Sequence, residues 1–121
     1  MRRLPFLLLT VLCLAFQPVR AQPRGLKVHI SVDMEGIAGV VTGDQLGPSG
    51  FEYGRFREFM TKEALAAVAA AKEAGATEIV VADSHGNGEN LLVEQFPPDV
   101  KIVRSWPRRL EMMGGIDQTF D

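Results

Sequence analysis

Apolar and polar side chains alternate from residue 26 to residue 32, with Leu26, Val28, Ile30 and Val32 against Lys27, His29 and Ser31. That period of two, rich in β-branched residues, predicts a strand ending near Asp33. From residue 53 the period lengthens. Tyr53, Phe56, Met60, Ala64, Ala67, Ala71 and Ala74 recur at spacings of three and four, which puts them on one face of a helix over 53–74. Glu58 and Lys62 stand four apart on the other side, and Gly75 supplies the stop. The run Thr-Glu-Ile-Val-Val-Ala at 77–82 is mostly apolar, as for a strand covered on both faces. Residues 91–96 read as a short helix or turn closed by Pro97 and Pro98, and 100–103 as a third short strand. The Gly-rich stretch 36–52 reads as a long loop, of the kind that is usually functional or mobile. A second Gly/Asn/Ser loop spans 83–90, and 106–117 reads as a connection with no defined element.

Strand, loop, helix, strand, loop, strand is the beginning of a βαβ chain. The fold class is therefore α/β, a mostly parallel sheet with flanking helices and a right-handed first crossover. With only one long helix the domain is expected to be incomplete. A parallel sheet needs cover on both faces, so strand residues 79–81 are expected to be partly bare. In such sheets, sites form outside the carboxyl ends of the strands.

The first residues change the picture of where the chain works. Arg2 and Arg3 precede a nearly unbroken apolar run at 4–16, followed by Gln17-Pro18-Val19-Arg20-Ala21. This is the layout of a secretory signal peptide over 1–21, cut after Ala21. The run falls short of the roughly 20 apolar residues a membrane span needs, and bulky Leu12 before Cys13 argues against lipid attachment. The expected location is secreted or periplasmic, with 22–121 as the mature chain. That chain loses its cysteine with the leader, so a core, a metal or oligomerisation must hold it. The full sequence has 13 Lys and Arg against 15 Asp and Glu; without Arg2, Arg3 and Arg20, ten face fifteen, a net charge of −5. This excludes general nucleic-acid binding and a basic membrane-surface role.

Two polar clusters fall at strand ends. In Ser31-Val32-Asp33-Met34-Glu35-Gly36, an extended backbone would point Asp33 and Glu35 to the same side, a hard anionic site for a divalent cation. Taken alone, a D-x-E pair is more often a pair of solvated acids. Asp83-Ser84-His85-Gly86 follows the second strand, and the neighbouring strand ends would bring His85 towards the two carboxylates. Asp33, Glu35 and His85 are the candidate metal ligands, the imidazole favouring zinc over magnesium. Asp83 could orient a ligand or cap the following turn. His29, in mid-strand, is read as structural, Asn87 and Asn90 as turn and cap residues. Arg104, Arg108 and Arg109 are expected to be solvated. Two other readings stay open. A magnesium-dependent phosphohydrolase would use Asp33 as nucleophile, but it would want aspartate where Glu35 stands and leaves His85 unexplained. The chain could also be a non-catalytic fragment.

The segments S-V-D-M-E-G-I-A-G at 31–39, M-T-K-E-A at 60–64, G-A-T-E-I-V-V-A-D at 75–83, D-S-H-G at 83–86 and M-M-G-G-I-D at 112–117 resemble the D-aminopeptidase (M55) family of zinc metallopeptidases, in order. The resemblance runs from about residue 27 to residue 121. It implies a two-zinc hydrolase that releases N-terminal D-amino acids from short peptides and assembles as a homo-oligomer. Asp33 would match the aspartate that bridges the metals, and Glu35 and His85 further ligands. The family's remaining ligands and its other active-site histidine follow the last of these segments. Hence 22–121 is expected to be the N-terminal part of the catalytic domain, inactive alone, with no catalytic acid or base assigned.

Overall fold

The computed structural model describes residues 25–121; the expected signal peptide and its cleavage point at Ala21 lie outside the described residues. Three strands form one parallel sheet in the order β1 (Leu26–Val32), β2 (Ala76–Asp83), β3 (Val100–Val103). The helix α1 (Tyr53–Glu73) is the crossover between β1 and β2. Short 3₁₀ turns occupy Met34–Gly36, Gly43–Gln45, Val93–Gln95 and Glu111–Met113. The expected α/β architecture and its parallel sheet are thus present. No helix among the described residues is long and apolar enough to cross a membrane.

One face of the sheet packs on α1. Ile79 and Val81 of β2 and Val32 of β1 join Phe56, Met60, Ala64 and Val68 of the helix in a single apolar core. The helix buries the i, i+4 row from Phe56 to Val68, with Thr61 beside it. The expected face is correct as far as Ala64, but then drifts: Ala67 and Ala74 are exposed, and Val68 takes the buried place. A strict step of four follows the ridge that meets the sheet. Ala67 instead opens onto a groove along the outer side of β1, with Ile30 and Glu63.

The opposite face of the sheet corrects an expectation. Ile79, Val80 and Val81 are all buried, at 3%, 4% and 0% exposure. The cover on the second side comes from the stretch after β3, which folds back across β1 and β2. Nε2 of the His29 ring lies 3.0 Å from the Gly114 carbonyl oxygen, and the ring meets Phe120 edge-on. The Ser31 and Ser84 hydroxyls, 2.8 Å apart, each lie 2.9 Å from the Met112 carbonyl oxygen. Gly115, at φ +94°, comes so close that a Cβ there would sit 2.8 Å from Val103 and 3.1 Å from Val80. Only glycine allows both that backbone conformation and that approach. Residues 112–120 therefore form the cover on this side of the sheet, built from turns rather than from a helix.

Candidate metal centre

The parallel register pairs Val32 with Asp83, so β1 and β2 end side by side. Just past these ends the chain leaves the sheet in two different ways. After Asp33 it enters the Met34–Gly36 turn, where the Gly36 N–H donates to the Asp33 carbonyl at 3.1 Å. This turn, not a continued extended backbone, brings Glu35 beside Asp33. Met34 between them is fully buried and anchors the turn in the core.

After Asp83 the chain forms a loop closed on itself. The Asp83 carboxylate is fully buried. It accepts from the backbone N–H groups of Asn90 and Leu91 at 2.5 and 2.7 Å, and from the Asn90 side-chain amide at 2.9 Å. The same amide donates to the His85 carbonyl at 2.6 Å, while the Tyr53 hydroxyl donates to Asn90 Oδ1 at 2.6 Å. Arg57 donates to the Asn90 carbonyl at 2.7 Å, so α1 grips this loop through two side chains. Gly88, at φ +71°, closes the turn after His85; a Cβ there would meet the Ser105 nitrogen at 2.8 Å. Arg108, expected in solvent, stacks on Trp106 at 4.0 Å and donates to the Asp83 carbonyl at 2.7 Å. Arg104 and Arg109 are exposed, as expected.

These two loop ends bring the three candidate residues together. His85 Nδ1 lies 3.1 Å from Asp33 Oδ1 and 2.7 Å from Glu35 Oε2. One donor atom from each of the three residues falls within 4.8 Å of the others. The His85 side chain is 7% exposed, those of Asp33 and Glu35 38% and 57%. His29 stands apart on the sheet and takes no part, in line with its reading as structural.

His85 Nε2 contacts the Leu46 carbonyl oxygen at 2.5 Å. A carbonyl only accepts, and so do the two carboxylates at Nδ1, so both ring nitrogens face acceptors. The constellation is complete only with a positive charge at its centre, either a proton on Nδ1 or a cation. The directions of the pKa shifts agree. Burial alone would lower the His85 pKa, but the Leu46 carbonyl, Glu35 and Asp33 together raise it. Burial, and then hydrogen bonding and repulsion from Glu35, raise Asp33. The Asp33 hydrogen bond holds Glu35 below its ordinary value, against the effect of burial.

Leu46 was not visible as a participant from the sequence, because it acts through its backbone. A signal for its neighbourhood was present. Thr42-Gly43-Asp44-Gln45 has the capping-box form, and both reciprocal bonds are made. The loop 36–52 carries an acceptor back to the histidine.

A parallel α/β sheet with a two-carboxylate, one-imidazole cluster beyond its strand ends defines a candidate metal-dependent protein of the α/β class. The sequence profile of the D-aminopeptidase family, Peptidase M55, matches residues 26–121, and the chain belongs to that family. It is 37% identical over 95 residues to a D-aminopeptidase of Bacillus subtilis (strain 168), covering 78% of this chain and 35% of that protein. Its fold superposes with a TM-score of 0.75 on the Zn-dependent D-aminopeptidase DppA from Bacillus subtilis, described as a self-compartmentalizing protease. There too the identity is 37%, over 78% of this chain and 35% of that one. The chain thus spans about a third of the length of these relatives.

Proposed function

We propose that the protein carrying this chain is a zinc-dependent aminopeptidase that releases N-terminal D-amino acids from short peptides, with Asp33, Glu35 and His85 as zinc ligands. The observation that carries this reading is the convergence of His85 Nδ1 and two carboxylates on one point, with Nε2 held from behind by a carbonyl. The donor set fits zinc. Two carboxylates supply charge, and a neutral imidazole adds the nitrogen ligand that zinc prefers and magnesium does not. The N–H on the far side of the ring is held by a carbonyl, the usual outer partner of a metal-bound histidine. A bound zinc would act as a Lewis acid and lower the pKa of water at the site.

The chain's own residues do the positioning. Asp33 and Glu35 are open to solvent on one side, so a substrate can reach the centre. His85 is buried behind them and restrained by Asn90 and Leu46. By resemblance Asp33 would be a shared metal ligand in the complete enzyme. Residues 22–121 alone, with one cluster of three donors among the described residues, would bind zinc weakly and not turn over substrate. The name of the solved relative supports assembly of several copies, and the leader pattern supports export with Gln22 as the mature first residue. Membership of a peptidase family and the place found for His85 leave no support for the phosphohydrolase reading.

The test uses the protein in its natural full length. Metal analysis should find zinc, and release of D-alanine from a D-alanyl peptide should stop on chelation and return with zinc. Asp33→Asn should lose both metal and turnover. Hydrolysis that survives metal removal, or an Asp33→Asn protein that keeps its zinc and its rate, would overturn the proposal.

A further inference from the structure

The long loop between β1 and α1 holds one buried polar side chain, Gln45, at 5% exposure. Its Oε1 accepts from the Val41 and Thr42 N–H groups at 2.6 and 2.9 Å. Its Nε2 donates to Glu52 Oε2 at 3.0 Å and lies 3.4 Å from the Gly39 carbonyl. One side chain thus ties both feet of the loop, residues 39–42 on one side and Glu52 on the other. The next residue is Leu46, whose carbonyl takes the proton of His85 Nε2.

We propose that Gln45 is a positioning residue for the metal centre: by clamping the loop it holds the Leu46 carbonyl against His85 Nε2 and so commits Nδ1 to Asp33 and Glu35. The inference rests on the zinc reading for its consequence, but not for its geometry. Leu46 sits at the end of a single 3₁₀ turn, Gly43–Gln45, closed by two backbone bonds, from the Gln45 N–H to the Thr42 carbonyl at 3.2 Å and from the Leu46 N–H to the Gly43 carbonyl at 3.0 Å. So short a turn has little stability of its own. The loop is rich in glycine, and the Gln45 amide is what joins its two ends. If the Leu46 carbonyl drifts, Nε2 loses the acceptor that holds the ring in place. The ring can then rotate and turn Nδ1, the ring nitrogen that faces the carboxylates, away from them.

Two measurements on the full-length protein separate this from a merely structural role. The first is the Nε2–H signal of the His85 ring in metal-free protein, at a pH where both ring nitrogens carry a proton. The wild type should show this proton held in a hydrogen bond and slow to exchange with solvent. Gln45→Met, similar in length but without the amide, should show it exchanging freely. The second is zinc affinity by titration with zinc alone. It should fall about 10- to 100-fold in Gln45→Met, the usual effect of losing an outer partner of a ligand. The double variant Gln45→Glu with Glu52→Gln exchanges donor and acceptor across the loop and keeps an acceptor for Val41 and Thr42. It should restore the slow Nε2–H exchange and most of the affinity, and it tests the idea even if Gln45→Met is poorly folded. A wild-type protein with the slow Nε2–H proton but no zinc binding would reject the zinc reading and leave the positioning intact. A Gln45→Met protein with unchanged Nε2–H exchange and affinity, or a double variant that folds but rescues neither, would overturn the role of Gln45.

Discussion

Asp33 and Asp83 stand at the ends of adjacent parallel strands, one at the end of β2 and one a single residue past β1. They look equivalent in the sequence, each an acid after an apolar strand. Their surroundings are opposite. Asp83 is fully buried and accepts three N–H bonds from the loop it begins. The Asp33 side chain is over a third exposed, and its neighbours are another carboxylate and a histidine. One acid is used up by the fold; the other is left with charge to spare. A carboxylate with satisfied lone pairs holds a loop, and one without them can hold an ion.

The sharpest way to break this contrast is to remove each acid in turn. Asp83→Ala would leave two backbone N–H groups and the Asn90 amide without an acceptor in the interior. Each such orphan costs about 1–3 kcal/mol, so an overall loss of about 3–5 kcal/mol is expected. Urea unfolding of the metal-free protein would measure it. Asp33→Ala in the same assay should fall within about 1 kcal/mol of wild type, as for a surface change. Equal losses at the two positions would end the comparison.

Next in size is the metal itself. His85→Ala should weaken zinc binding by more than about 100-fold, because even partners outside the coordination sphere cost 10- to 100-fold. His29→Ala should leave zinc binding unchanged and cost about 1 kcal/mol in stability, through the Gly114 contact and the Phe120 edge. Zinc titration of the two variants checks the pair. A His29→Ala protein that binds zinc as poorly as His85→Ala would mean that the sheet face, not the loop ends, carries the centre.

These contrasts also show what the sequence disclosed. The strands and α1 follow from short-range periodicity, which a linear pattern carries intact. The bounds of β1 and β3 are as read, and β2 gains one residue at each end. The pairing of Asp33, Glu35 and His85 was legible because parallel strands bring their carboxyl ends together. Four things were not. Val68 replaces Ala67 on the buried face because packing follows the i, i+4 ridge, which drifts from the average period. The cover supplied by residues 112–120 works largely through the carbonyls of Met112 and Gly114, and a backbone group has no letter of its own. Leu46 is invisible for the same reason. Asn90, read as a turn residue, is a buried hub, because its loop is folded against Tyr53 and Arg57 from a distant helix.

That hub gives a smaller effect. Tyr53→Phe removes one donor to Asn90 Oδ1 and little else, because the ring remains against the core. A loss of about 1 kcal/mol is expected. It should add nothing to Asp83→Ala if the loop is already undone, and a thermodynamic cycle of the two substitutions would show this coupling. Full additivity would mean that Tyr53 and Asp83 serve separate structures.

The smallest effect lies on the surface, with a carboxylate resembling neither Asp33 nor Asp83. Glu78 on β2 faces two lysines, 2.7 Å from Lys101 Nζ and 3.3 Å from Lys27 Nζ. Hydrogen bonds from Lys101, and then from Lys27, hold its pKa below the ordinary glutamate value. The sign follows from proton counting. The unfolded chain takes up this proton at a higher pH than the folded one, so the contribution is complete above the ordinary glutamate pKa. It is lost as the pH falls through the lowered folded value. Solvent and salt screen such a pair, so the contribution is small and should fade further at high ionic strength. Comparing thermal midpoints of wild type and Glu78→Gln at falling pH would isolate it. The two curves should be separated above the ordinary glutamate range and converge as the pH falls through the lowered folded value. Parallel curves with no convergence would show that Glu78 acts by shape or packing and not by charge, leaving Asp33 and Glu35 as the carboxylates whose charge has consequences.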